Sequence, residues 1–153
     1  MACKTNPAQV TELLLQALET ERGGIQIYTA AIAAAQNEDL KKEWGEYLEE
    51  TRTHEQVLTR LFEELGMDTE AQSPGRAVVA HMGESLVAAI KLAMAKADPA
   101  AAELVAAECV VLAETKDHQN WELIGRVAEQ GGPHAKALKA AHEAVEQDED
   151  HHL

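Results

Sequence analysis

Leu48-Glu-Glu-Thr-Arg-Thr-His-Glu-Gln-Val-Leu58 is the stretch on which the fold turns. Glu50 and His54 stand four residues apart, so on a helix they project from one face. Tyr47, Leu58 and Leu61 share that face. A carboxylate and an imidazole on an otherwise apolar stripe are expensive to bury unless they are paired or hold a cation. Related arrangements recur as Glu114-Thr-Lys-Asp-His118 and Asp148-Glu-Asp-His-His152. The chain therefore reads as a scaffold that brings these pairs together with Glu21.

Composition narrows the fold. The 153 residues suffice for one domain, 1–153, with its own core. Tyr28, Trp44, Tyr47, Phe62 and Trp121 are the five aromatic residues, and the apolar content is otherwise Ala, Leu and Val. That mixture suits closely packed helices and suits a β-sandwich poorly. Lys and Arg total 13 against 27 Asp and Glu, a formal charge of −14. With no basic stripe to neutralise phosphates, nucleic acid is not expected as a partner. The polar start, Met1-Ala-Cys-Lys-Thr-Asn, does not read as a secretory signal. No apolar run is read as reaching membrane-spanning length, so no membrane partner is expected. Cys3 and Cys109 form neither a CxxC motif nor a disulfide framework, which points to a reducing cytoplasm. Cys109, beside Val110 and Val111, reads as a small buried hydrophobe.

Punctuation along the chain gives five helices. Pro7, Pro74, Pro99 and Pro133 follow Asn6, Ser73, Asp98 and Gly132, and all four read as helix starts. Helix 1 is expected over 7–36, helix 2 over 39–65 with Gly66 as its stop, and helix 3 over 74–97. Helix 4 is expected over 99–130, and helix 5 from the Gly131-Gly132-Pro133 turn to Leu153. Gly23-Gly24 inside helix 1 reads as a point of close helix–helix contact, with extra room beside Glu21 as the alternative. Helices 1, 2 and 4, each about 40–48 Å long, with short connections, imply an antiparallel bundle.

Helix 1 carries Glu21 and Tyr28 on the face of Leu14, Leu18 and Ile32. Helix 4 carries Glu114 and Trp121 with the same Glu-x6-aromatic spacing, and His118 between them. Leu40-Lys41 precedes His54 as Leu138-Lys139 precedes His152. Helices 1–2 and 4–5 thus form a weak repeat of two hairpins, with helix 3 crossing between them. A competing register puts Glu84 of helix 3, rather than Glu114, opposite Glu21. Helix 5 carries its pair in its last turn, so the expectation is either a longer natural chain or a second subunit holding that end.

One Glu from each of two helices, plus a Glu/His pair from each of two others, resembles the di-metal carboxylate site of the ferritin-like superfamily, which includes rubrerythrins and bacterioferritins. Glu21-x6-Tyr28 is similar to the first-helix motif of that superfamily. Leu48-Glu-Glu-Thr, His54 and Leu58-Thr-Arg-Leu-Phe-Glu-Glu-Leu-Gly66 also look like a ferritin-like family of stress-induced bacterial proteins of unknown function. The resemblance implies a ferritin-like four-helix bundle of helices 1, 2, 4 and 5 with an additional crossover helix 3. It implies metal ligands among Glu21, Glu50, His54, Glu114, His118, Glu149 and His152. One or two ions of iron or manganese are implied, with zinc as a further candidate, and a non-haem di-iron carboxylate type of centre. The superfamily pair is Glu-x-x-His, which helix 5 has as Glu149-x-x-His152, whereas Thr51 stands three residues before His54.

The function expected from this resemblance is metal binding, with oxidoreductase chemistry on oxygen, peroxide or ferrous iron. The alternatives are a non-enzymatic bundle that sequesters metal or carries a partner interface, and a metal-free bundle with exposed acid–histidine pairs. No P-loop, GxSxG, dinucleotide fingerprint or HExxH occurs, and the four-cysteine rubredoxin-type centre of many rubrerythrins is missing. Long Ala-rich helices point to a homodimer or higher homo-oligomer.

Overall fold

The structure, a computed structural model, describes residues 5–152, without the side chains of residues 147 and 149–152. The described residues are all α, with no strand among them. Five helices run α1 Pro7–Ala34, α2 Glu38–Leu65, α3 Pro74–Lys96, α4 Pro99–Glu129 and α5 Ala135–His152.

Three of the four prolines sit at helix starts. Asn6, Ser73 and Asp98 cap α1, α3 and α4 through their side-chain oxygens, each accepting a backbone N–H of the first turn. Pro133 departs from the expectation. Gly131 and Gly132 take φ of 80° and 102°, a left-handed turn, and the helix begins only at Ala135. Gly66 closes α2 at φ 69°, donating its N–H back into the last turn. Helix 1 stops two residues earlier than its expected end at Gln36. The Gln36 and Asn37 N–H groups instead donate to the Glu103 carboxylate on α4, at 2.8 Å for Asn37.

Helices α1, α2, α5 and α4 pack in a closed ring, each touching its two neighbours, while α1 and α5, like α2 and α4, stand on the diagonals. Helix α3 lies outside the ring against α1 and α4. It runs parallel to α1, since Ser73, Arg76 and Gly83 meet Glu12, Glu19 and Gly23 in the same order. It thereby carries the chain back along the bundle, so that α4 descends beside α1 in the opposite direction. Arg76 is 2% exposed and pins this return. It donates to Glu19 at 2.9 Å and to the carbonyls of Thr69 and Ala71 at 2.7 and 2.9 Å, tying the α2–α3 loop to α1.

Gly23-Gly24 is a close contact, as the sequence suggests. A Cβ on Gly24 would lie 3.3 Å from Thr51 of α2, and Gly23 faces Gly83 of α3. One sequence expectation is corrected. Helix α3 is long and apolar enough to cross a membrane by length and composition, where the sequence reading expects no run of that length. Its Ala, Val, Leu and Met residues are interspersed with Gly, Ser and single charges, which hide the run from a search for uninterrupted apolar sequence.

The apolar interior falls into two clusters. One joins Leu14, Leu18, Leu58, Phe62, Trp121, Ile124 and Val145. The other joins Ile27, Tyr28, Trp44, Tyr47, Ile90, Cys109 and Val110. Each fully buried large side chain contributes about 1.5–3 kcal/mol. Burial pushes the Cys109 thiol up from its ordinary range, so it stays a protonated packing group. Between the clusters lies a polar layer: Thr20, Glu21, Thr51, His54, Glu114, Asp117 and Asn120 are all buried.

A pair of glycine variants tests this packing, and a single carboxylate variant tests its response to acid. Gly45→Ala, whose added methyl meets nothing within 4 Å, should raise stability by roughly 1 kcal/mol. Gly125→Ala, whose methyl would sit 2.6 Å from His142 Nε2 of α5, should lower it by about 1–3 kcal/mol. Urea midpoints that move in the same direction would contradict the fit of α4 to α5. The carboxylate is Glu103. The Gln36 and Asn37 amides hold the Glu103 carboxyl below its ordinary range. Because the folded value is the lower one, its contribution is complete above the ordinary carboxylate range and is lost as pH falls through the depressed value. Glu103→Gln should therefore flatten part of the stability loss between about pH 5 and pH 3. Thermal melts of both proteins across that window measure it.

Candidate metal centre

The layer between the clusters is built from α1 and α4 first. These helices run antiparallel, and both carry a Glu-x6-aromatic spacing. Seven residues are two turns, about 10.5 Å along the axis, so each acid meets the other helix's aromatic. Trp121 Nε1 donates to Glu21 Oε1 at 2.7 Å, and Tyr28 Oη donates to Glu114 Oε1 at 2.8 Å. Next to them Asn120 Nδ2 donates to the Thr20 hydroxyl at 3.0 Å. The internal repeat read in the sequence thus becomes a pair of reciprocal hydrogen bonds. Glu84, the competing candidate, is exposed on α3, whereas Glu114 is buried.

Helix α2 brings His54 into the layer. The ring is fully buried. Its Nδ1 lies 3.8 Å from Glu21 Oε1 and its Nε2 lies 3.0 Å from Asp148 Oδ2 of α5. Trp121 packs edge-on to the imidazole, with centroids 6.3 Å apart. Thr51, one turn earlier, is buried and turns its hydroxyl to the Tyr47 carbonyl at 2.7 Å. It serves helix packing there, beside Gly24. Asp117 of α4 completes the centre. One ligand-type atom from each of Glu21, His54 and Asp117 lies within 4.8 Å of the others, and all three residues are buried.

The expected ligand residues separate accordingly. Glu21 and His54 come together. Glu114 shares the layer and is bonded to Tyr28. Glu50 is half-buried on α2. His118 is half-buried, and its Nδ1 is enclosed with no hydrogen-bond partner among the described residues. The side chains of Glu149 and His152 lie outside the described residues. Asp117 is not among the sequence candidates, and Asp148 enters there as the carboxylate of the Asp148/His152 pair, whereas the structure sets it against His54. Asp117 stands three residues after Glu114 and four before Trp121, so the same-face rule that selected Glu114 and Trp121 also selects it. Its neighbour His118, four residues after Glu114 and three before Trp121, meets the same spacing.

Toward the second apolar cluster, Tyr28 meets Tyr47 edge-on at 6.2 Å. Tyr47 donates to Glu43 at 2.7 Å. Burial, then the Glu43 hydrogen bond and the charges of Glu43, Glu50 and Glu46, raise the Tyr47 phenol well above its ordinary range. Tyr47 therefore remains a neutral donor at physiological pH.

No family model matches the chain, and no curated protein or solved structure matches it.

The Glu21–Trp121 bond is open to a direct test. Trp121→Phe keeps most of the ring and deletes the N–H that Glu21 accepts. Hydrogen bonds to charged groups contribute about 1.5–3 kcal/mol, so urea unfolding should report a loss of that size. A change under about 0.5 kcal/mol would mean that Glu21 is not held by this donor.

Proposed function

We propose that this protein is a ferritin-like, metal-binding helical bundle whose centre is Glu21, His54 and Asp117. The observation that carries this reading is the convergence of two carboxylates and an imidazole, buried and from three different helices, with ligand atoms within 4.8 Å. The donor set fits a first-row transition ion. Mixed oxygen and nitrogen ligands suit iron, manganese or zinc, whereas an all-oxygen cage would suit calcium or magnesium. Ligand atoms bound to one such ion at about 2.1 Å lie roughly 3–4 Å apart, a small closure from the arrangement described. Glu114, from the same layer, is the next carboxylate available for bridging or for a second ion. When bound, iron or manganese supplies redox or Lewis-acid chemistry.

The protein's own residues would do the rest. Trp121 orients Glu21 through its indole N–H, and Asp148 orients His54 at Nε2, leaving Nδ1 on the side of Glu21. The two apolar clusters exclude water on either side. Activity on oxygen, peroxide or ferrous iron follows from analogy with ferritin-like bundles. The two cysteines, one of them buried, are compatible with a reducing cytoplasm.

A second reading has its own support. His54 stands between Glu21 and Asp148, the placement of an imidazolium that neutralises buried carboxylates without metal. Elemental analysis of untagged protein, grown aerobically with iron and manganese, decides between them. The metal reading expects at least about one ion per two chains, and loss of more than about 80% of it in His54→Ala and in Asp117→Asn. His118→Ala should retain its metal. Less than about 0.1 ion per chain in the unaltered protein would establish the imidazolium reading instead. Oxygen or peroxide consumption by metal-loaded protein then separates an enzyme from a store.

A further inference from the structure

Helix α3 turns an uncharged face to solvent. Ile90 and Arg76 are its buried residues. On the opposite side Val78, His81, Ser85, Ala88, Leu92 and Ala95 are all exposed. Three of these, Val78, Ser85 and Leu92, repeat every seven residues, and so do His81, Ala88 and Ala95, three residues after each. That is the a/d spacing of a helix-pairing seam. Val78 and Leu92 are 58% and 56% exposed, and Met82 beside them is 60% exposed. A surface helix normally carries charge opposite its core face, and one that is apolar all round is normally covered. In a chain with 26% charged residues, this face departs from the general composition.

Charge identifies what covers it. The seam is flanked by Glu84 and Lys91, both exposed, each in the position immediately before the Ser85 and Leu92 of the seven-residue series. Bring a second α3 against the first in antiparallel orientation, about a two-fold axis between Ser85 and Ala88. Val78 then faces Ala95 of the second copy, and Leu92 faces its His81. In this register Glu84 faces Ala89 of the second copy and lies diagonally from its Lys91, two residues on, within reach of that long side chain, and the two-fold repeats the pair beyond the axis. The face is therefore complementary to itself in both shape class and charge. The small residues Ser85 and Ala88 at the axis allow close approach.

We propose that two copies of this chain form an isologous dimer through antiparallel α3 helices, with reciprocal Glu84–Lys91 pairs setting the register. A lipid bilayer would also cover an apolar face. The formal charge of −14 works against anionic lipid, and the Glu84–Lys91 complementarity has no counterpart in a membrane. The dimer does not depend on metal.

Sedimentation velocity across a concentration series tests it. The full chain should sediment at twice its 16.6 kDa mass. Glu84→Lys or Lys91→Glu alone places like charges within reach of each other, and each should weaken the dimer at least about tenfold. The double variant E84K/K91E restores opposite charges and should return the dissociation constant to within about threefold of the unaltered protein. Leu92→Glu should give a monomer with unchanged far-ultraviolet circular dichroism, because the residue touches no core. A chain that stays monomeric up to about 100 µM overturns the proposal, since a specific interface of this kind should bind more tightly. Single and double charge variants with equal dissociation constants overturn the α3 register. Monomeric protein that floats with phosphatidylcholine vesicles, and loses that in Leu92→Glu, would overturn it in favour of a membrane.

Discussion

Two carboxylates buried between α1 and α4 set the terms for the rest of the molecule. A buried carboxylate costs several kcal/mol unless hydrogen-bonded or paired. Glu21 and Glu114 meet that requirement reciprocally, each taking a donor from an aromatic two turns away on the other's helix. Because one spacing serves both, sliding α4 along α1 by a turn would break both bonds together. The layer therefore fixes register, as a buried polar residue does in a coiled coil. The apolar clusters on either side supply most of the burial, yet apolar contacts alone would tolerate such a slide far better.

The same layer explains why a histidine belongs in the interior. His54 enters from α2 between Glu21 and Asp148, so four helices converge on one imidazole and its acidic neighbours. Ligand-type groups held from separate helices are positioned by the whole bundle and not by one segment. This is the arrangement expected of a preorganised site. Asp117 adds a second carboxylate from α4, with one oxygen within 4.8 Å of a ligand atom of both Glu21 and His54.

Much of the fold was legible because its signals are local. Asn6, Ser73 and Asp98 before proline mark helix starts, and Gly66 marks a stop, through backbone chemistry confined to one turn. Pro133 misled because the two preceding glycines take the turn for themselves. The Glu-x6-aromatic repeat was legible as a spacing, but its meaning needed the antiparallel pairing of two helices. The centre was legible in part. Glu21 and His54 stand out as polar residues on apolar stripes, whereas Asp117 sits among Lys116, His118 and other polar residues that mask it. Which of two adjacent residues faces inward depends on a rotation of about 100° about α4, which spacing alone leaves open.

The partners that meet in the layer are far apart along the chain: Trp121 lies 100 residues from Glu21, and Asp148 lies 94 from His54. During synthesis the α1–α2 hairpin emerges with Glu21 and His54 side by side and their partners Trp121 and Asp148 still unmade. At about 5–20 residues per second, several seconds pass before α4 and α5 arrive. Closure of the bundle is thus a late, long-range event, and loop-closure entropy rather than helix formation governs its rate. A nascent chain of this kind passes that interval with one acidic, apolar face of the α1–α2 hairpin uncovered, the surface that a chaperone would meet first.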